Sequence, residues 1–199
     1  GFNAHYTFAK ALDDFIDFRT DLQEVLDPLR PGDERALSVQ DVRSRFVFSG
    51  TWDLNYTKNP ILSGFQLSTI INLNSGRPYN LLAGTDLNQN GDNPPGDRPI
   101  VNGGFIGRNL GITPGFANMD LRITRTFNIK ERCKIQGYIE AFNIFNRTNI
   151  SDVSRVFFPD AQGNFNLPQK DGRRYTASPS QFISAFPSRQ FQFGFRVSF

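Results

Sequence analysis

From Arg189 to Phe199 every second residue is apolar: Phe191, Phe193, Phe195, Val197 and Phe199 fall on one side, and Gln190, Gln192, Gly194, Arg196 and Ser198 on the other. Strict alternation of this kind makes a strand with one apolar face. Soluble strands usually run about five or six residues, whereas a strand crossing a bilayer needs roughly 9 to 11 at a tilt near 45°. This segment is long enough to span. The same pattern recurs upstream. Residues 2–10 alternate, with Phe2, Ala4, Tyr6 and Phe8 on one face. Between residues 42 and 56, Phe46, Phe48, Gly50, Trp52, Leu54 and Tyr56 oppose Arg43, Arg45, Ser49, Thr51, Asp53 and Asn55. Phe65, Leu67, Thr69, Ile71 and Leu73 make a third row, and Cys133, Ile135, Gly137, Ile139 and Ala141 a fifth. The fourth row, Met119, Leu121, Ile123, Phe127 and Ile129, is interrupted by Arg125.

The connections between these six predicted strands run long, short, long, short, long. The first, over about residues 11–41, is acidic, with Asp13, Asp14, Asp17, Asp21, Glu24, Asp27, Asp33, Glu34 and Asp41. Within it Thr20 and Gln23 have capping-box spacing ahead of Leu22, Val25, Leu26 and Leu29, which suggests a short helix, with an irregular loop as the alternative. Asn59 and Pro60 mark a short link, and residues 128–132 a tight one. Residues 75–115 are rich in Gly, Pro, Asn and Asp, and residues 147–188 are punctuated by Pro159, Pro168, Pro179 and Pro187.

Outer-membrane barrels have short periplasmic turns and longer extracellular loops. The alternating connections therefore place both short turns and the C-terminus in the periplasm. Arg125 then lies near the periplasmic interface, where a lipid-facing cation costs about 0 to 1 kcal/mol, against roughly 2 to 4 at midplane. Arg43, Arg45, Asp53, Asp120, Arg122, Lys134, Glu140 and Arg196 face the lumen. The fold class expected is all-β: residues 1–199 as an antiparallel transmembrane β-barrel segment of about six long strands. Single-chain closed barrels start at about 8 strands. The reading thus expects further strands before Gly1, or a chain that does not span.

Composition agrees once helices are set aside. Apolar residues are too dispersed for a run of about 18, so no transmembrane helix is expected. The mean hydropathy of −0.40 suits strands that are apolar on one face only. Twenty-one Phe supply the aromatic girdles of such a wall. A net charge of +3 without a basic stripe gives no reason to expect nucleic acid as a partner. One cysteine, Cys133, and one histidine, His5, leave no internal disulfide and no imidazole or thiolate cluster. No phosphate-binding glycine loop and no nucleophile with a nearby base is visible, so no enzyme is expected.

The best chemical candidate is Asp86-Leu87-Asn88-Gln89-Asn90-Gly91-Asp92, with Asp97 eleven positions after Asp86. A hard cation such as calcium wants six to eight oxygens, and D-x-N-x-N-G offers side-chain oxygens at loop positions one, three and five. Asp86, Asn88, Asn90, Asp92 and Asp97 form the candidate metal set. Asp replaces the usual bidentate Glu at position twelve, Pro94 and Pro95 interrupt, and no helices are expected to flank the loop. An Asx-rich turn in an exposed loop is the competing reading.

Several runs are similar to a known family. Glu34-Arg35-Ala36-Leu37-Ser38 through Asp41-Val42-Arg43-Ser44-Arg45-Phe46 resembles the C-terminal barrel of Oar-like TonB-dependent receptors. So do Ser75-Gly76-Arg77-Pro78-Tyr79, Asp97-Arg98-Pro99, Gly107-Arg108-Asn109, Pro114-Gly115-Phe116 and Met119-Asp120-Leu121. Glu140-Ala141-Phe142-Asn143-Ile144-Phe145-Asn146-Arg147-Thr148-Asn149 completes the series, in family order across nearly the whole chain. The resemblance implies a bacterial outer-membrane transporter: a large barrel plugged by an N-terminal domain, energised through the TonB complex and importing bulky substrates. The plug is not among these residues. Phe191, Phe193, Phe195, Val197 and the terminal Phe199 also resemble the C-terminal signal read by the barrel-assembly machinery. Outer-membrane lipid would be the remaining partner. A secreted or surface β-sandwich, an adhesin module with a calcium-binding loop, is the alternative, because a sandwich core shows the same alternation.

Overall fold

Six long strands carry the alternation and join into one antiparallel sheet in chain order: β1 (Phe2–Phe8), β2 (Ser44–Leu54), β3 (Phe65–Asn74), β4 (Phe116–Lys130), β5 (Cys133–Phe142) and β6 (Gln190–Ser198). The computed structural model describes residues 1–14, 26, 29–54, 63–91, 96–130 and 133–199. The capping-box positions Thr20 and Gln23, the turn residues Asn59 and Pro60, Tyr56 at the end of the second apolar row and the candidate ligand Asp92 lie outside them.

Register assembles the apolar rows into a continuous face. Phe46, Leu73 and Ala117 share one level, and Phe48, Ile71 and Met119 the next. Below them come Phe2, Gly50, Thr69, Leu121, Ala141 and Phe191, then Trp52, Leu67, Ile123, Ile139 and Phe193. Leu54, Phe65, Arg125, Gly137 and Phe195 follow, then Phe127, Ile135 and Val197. A one-residue slip anywhere would throw a whole strand's apolar set onto the polar side, so these matched rows fix the pairing. Phe193 is 73% and Phe195 80% exposed. A sandwich would bury such rows beneath a second sheet. Among the described residues nothing packs over them.

The opposite face is polar. Thr51, Ser68, Arg122, Glu140 and Gln192 share a level. Arg122 Nη1 stands 3.4 Å from Glu140 Oε1, its guanidinium over the Tyr138 ring. Gln66 donates to Asp53 at 2.8 Å.

Glycines in the sheet make room for rings. A Cβ built on Gly50 would sit 2.5 Å from Trp52 Cη2, and one on Gly194 would sit 2.3 Å from Tyr138 Cζ. Trp52 thus lies across Gly50 on the apolar face. Thr69, level with Gly50, is buried although it belongs to that face.

All three long connections, residues 9–43, 75–115 and 143–189, leave the same end of the sheet. The second and third build a small body with its own core, Tyr79, Leu81, Ile106, Val153, Tyr175 and Ala177. Gly111–Ile112 pairs with Pro78–Tyr79 and with Arg174–Thr176, and Val156–Phe157 runs parallel to Leu82–Ala83. These strands are two or three residues long. Such pieces are too short to show a period, which is why their sequences read as irregular loop.

Candidate functional site at the long-loop end

Buried charges tie the first long loop to the second. Pro31 opens a single 3-10 turn, Pro31–Glu34, a position suited to its fixed φ, and Glu34 at the end of that turn points inward. Arg98 grips the Glu34 carboxylate in bidentate fashion, Nη1 to Oε2 at 2.5 Å and Nη2 to Oε1 at 2.9 Å. Arg108 donates from Nε to the Glu34 carbonyl at 2.8 Å, and from Nη2 to both the carboxylate and the carbonyl of Asp13. Glu34, Arg98 and Arg108 are each nearly inaccessible to solvent. Removing such charges from water costs several kcal/mol per ion, so they are tolerated there only because each is paired and hydrogen-bonded. Burial works against ionisation of Glu34. The hydrogen bond and charge of Arg98, the Leu26 amide and the charge of Arg108 outweigh it and hold the carboxyl below its ordinary pKa.

Neutral contacts extend this junction. Asn109, at φ 54°, donates from Nδ2 to the Leu37 carbonyl at 2.8 Å, while its amide donates to Asn80 Oδ1 at 3.2 Å. Asn tolerates the left-handed region better than most side chains. Asp41, also buried, accepts from the Ala11 amide at 2.7 Å and from Arg43 at 3.3 Å.

The candidate metal loop is built from Asx turns. Asp86 accepts from the amides of Asn90 at 3.2 Å and Gly91 at 2.9 Å, and Asn88 Oδ1 from the Asn90 amide at 3.1 Å. Gln89 and Gly91 take positive φ, 58° and 85°, to close the turn. Asp97 is fully buried, and its Oδ2 accepts from the amides of Leu87 at 2.5 Å and Asn88 at 2.8 Å. Asp97 therefore reaches back to the loop its spacing suggested, there holding backbone. Among the described residues no group of three or more His, Cys, Asp or Glu side chains gathers as a metal site.

On the polar face just below the loops lies a hollow of about 270 Å³, lined by Phe116, Asn118, Asp120, Phe142, Asn143 and Phe186 among others. Asp120 Oδ1 accepts from Asn118 Nδ2 at 2.8 Å and from the Asn143 amide at 2.9 Å. Asn149 brackets Ala117, accepting from its amide and donating to its carbonyl, both at 2.9 Å. Asn143 and Asn146 adopt φ of 50° and 51°. That explains why alternation fades after Ala141: the run Glu140 to Asn149 ends β5 and folds its asparagines against β4. Asn146 Oδ1 then accepts from the Arg189 amide at 3.0 Å, where β6 begins.

A family model described as outer membrane beta barrel domain matches residues 1–106 and 101–192. The chain belongs to that family. No curated protein and no solved structure matches it. As an outer-membrane barrel domain it resides in the bacterial outer membrane, its apolar face against lipid and its polar face toward the lumen. The long loops are extracellular and the short connections periplasmic. The six strands are barrel wall. Phe191, Phe193, Phe195 and Val197 stand in the lipid-facing row of β6, and Phe199 just beyond its end is fully exposed. The five candidate metal positions are not brought together as one cluster: Asp86, Asn88 and Asn90 share a turn, Asp97 buttresses it, and Asp92 is outside the described residues. Sequence reasoning missed the pairing of Glu34 with Arg98 and Arg108. The available signal was charged residues lodged in Gly- and Pro-rich stretches, Asp97-Arg98-Pro99 and Gly107-Arg108-Asn109.

Proposed function

We propose that residues 1–199 are the C-terminal barrel portion of an Oar-like TonB-dependent receptor, providing wall and external loops for energised uptake of a bulky substrate. The observation that carries the reading is where the resembling runs meet. Glu34, Arg98 and Arg108, from three separate runs, interlock in one buried junction. Asp120 and Asn143, from two others, are hydrogen-bonded beside the inner hollow. Runs that hold one another in place are what a shared cap and rim require. The plug, through which the TonB complex would act, lies outside these residues in this reading, and no catalytic role is assigned.

An antibody to the extracellular loops tests it. Outer membranes should give a band several times larger than 22.5 kDa that co-purifies with the TonB complex. A band of about this mass, with no TonB association, would sink the receptor assignment and leave the barrel wall untouched. Calcium at Asp86, Asn88, Asn90, Asp92 and Asp97 is a separate proposal within it, structural in role. It is supported by side-chain oxygens of Asp86 and Asn88 converging on one turn. Calorimetry at millimolar calcium, with Asp86→Ala as control, decides it: no heat, or equal heat from both proteins, removes the metal.

A further inference from the structure

Three hollows adjoin one another on the lumen face, just below the extracellular loops. The one over Asp120 shares Phe116 and Phe186 with a second, of about 280 Å³, that is also lined by Asn74, Arg77 and Thr113. On the periplasmic side it shares Asp120 and Phe142 with a third, of about 270 Å³, which reaches Arg122 and Glu140. Together they make a trough running down the inside of the wall from the loops.

The two ends of this trough carry opposite charges that nothing engages. Arg77 is fixed through its backbone, its amide donating to Thr113 Oγ1 and its carbonyl accepting from the Thr113 amide, both at 2.9 Å. Its guanidinium has no partner among the described residues. At the other end Glu140 is already paired with Arg122 at 3.4 Å. Asp120 commits Oδ1 to Asn118 Nδ2 and the Asn143 amide, and its Oδ2 stays unengaged. Between the charges Asn74 Oδ1 is buried without a hydrogen-bond partner, an arrangement that costs stability unless a donor arrives. Phe116 and Phe186 meet edge to face there, ring centroids 5.3 Å apart, and Phe142 and Phe186 are exposed although they line the water-facing side of the wall. Apolar rings beside a few convergent polar groups are the makeup of a ligand site.

Register sets the length of what would fit. Asn74 is level with Phe116, and Asp120 lies four residues further along β4, about 13 Å away at roughly 3.3 Å per residue. An extended peptide of four residues covers about 13 to 14 Å. We propose that the trough binds a short extended oligopeptide with free termini, its carboxylate on Arg77, its ammonium on Asp120 and an apolar side chain against Phe116 and Phe186. Both terminal contacts are charge-assisted hydrogen bonds, and peptide N–H groups supply the donor that Asn74 Oδ1 lacks. A neutral saccharide could use the amides and the rings, but it has no use for opposite charges at opposite ends. This names a substrate class for the uptake proposed above and in that sense rests on it; the binding itself needs only the barrel wall, and TonB does not enter its test.

The probe is the tetrapeptide alanyl-phenylalanyl-alanyl-alanine, titrated by calorimetry into protein extracted from outer membranes in mild detergent. Its N-acetylated and C-amidated forms, and cellotetraose as a neutral saccharide, are titrated alongside. Blocking either terminus should weaken binding by about tenfold or more, the worth of a hydrogen bond between charged groups. Arg77→Gln should bind the free acid and the amide equally while still distinguishing free from acetylated amine. Asp120→Asn should do the reverse. Heat-modifiable mobility identifies folded protein in each case. No heat from the tetrapeptide at millimolar concentration overturns the proposal, as does equal affinity for free and blocked peptides. Tighter binding of cellotetraose than of the peptide overturns it in favour of a glycan. Should Asp120→Asn not fold, Arg77→Gln decides: discrimination between acid and amide that survives there sinks the assignment. Any of these failures leaves the receptor reading standing, since that is judged by band mass and TonB association.

Discussion

Glu34 and Arg98 are separated by 64 positions in the chain and meet as a buried, bidentate ion pair at 2.5 and 2.9 Å. Neither residue belongs to a long strand, yet together with Arg108 they fix how the first extracellular loop lies on the second.

Replacing Glu34 with Ala leaves Arg98 buried without its partner and removes the carboxylate near Arg108. Breaking one side of a buried pair costs about 3 to 5 kcal/mol. The expected outcome is local: residues 29–43 and 75–115 become protease-sensitive on intact cells, while heat-modifiable mobility of the barrel persists. Limited proteolysis against the unsubstituted protein measures both.

The same carboxylate gives the loops a pH dependence. Its folded pKa lies below the ordinary glutamate value of 4.5. A depressed carboxyl contributes stability that is fully present above the unfolded value and is lost as pH falls through the folded one. The loop junction should therefore be unchanged from neutral pH down to about 4.5, and open only in stronger acid. Glu34→Gln should abolish that acid transition. Hydrogen exchange across an acid titration reads it.

Gly50→Ala is expected to destabilise the wall by about 1 to 3 kcal/mol, the usual range for overpacking. The new Cβ would meet Trp52 Cη2 at 2.5 Å and Cζ3 at 2.9 Å, so the indole must leave its place over the backbone. Trp52 fluorescence should shift and the unfolding midpoint in urea should fall. Gly137→Ala, with open space around it, should leave the midpoint within a few tenths of a kcal/mol.

Deleting Phe199 tests the expectation that the last aromatic residues of β6 act as an assembly signal. The amount of heat-modifiable, protease-protected protein in the outer membrane is expected to fall several-fold, with the remainder in the periplasm. Normal insertion of the truncated chain would remove the signal assigned to Phe191, Phe193, Phe195, Val197 and Phe199, without touching the fold.

Strand existence, order and facing were legible because alternation is a local signal that reads directly as geometry. Phe65 to Leu73 needs only its own period to declare which side meets lipid. The loops were not legible for the opposite reason. Leu82–Ala83 finds Val156–Phe157, and Glu34 finds Arg98, across distances in sequence where no period connects them. Asp97 shows the middle case. Its spacing from Asp86 pointed to the right loop, but spacing does not distinguish a carboxylate that binds a cation from one that accepts two backbone amides. Asn143 was hidden for yet another reason: an asparagine that turns at positive φ looks, in sequence, like a strand losing its phase.

The junction around Glu34 also changes what the cell presents to its surroundings. The first long loop is held to the second by buried charge, and the second to the third by a shared apolar core. To an antibody or a phage arriving from outside, the described residues of these loops offer one contoured epitope, assembled from residues far apart in the chain. A substitution hidden at Arg98 could then erase recognition at a surface it never touches, and escape from such a predator need not leave a mark on the exposed residues at all.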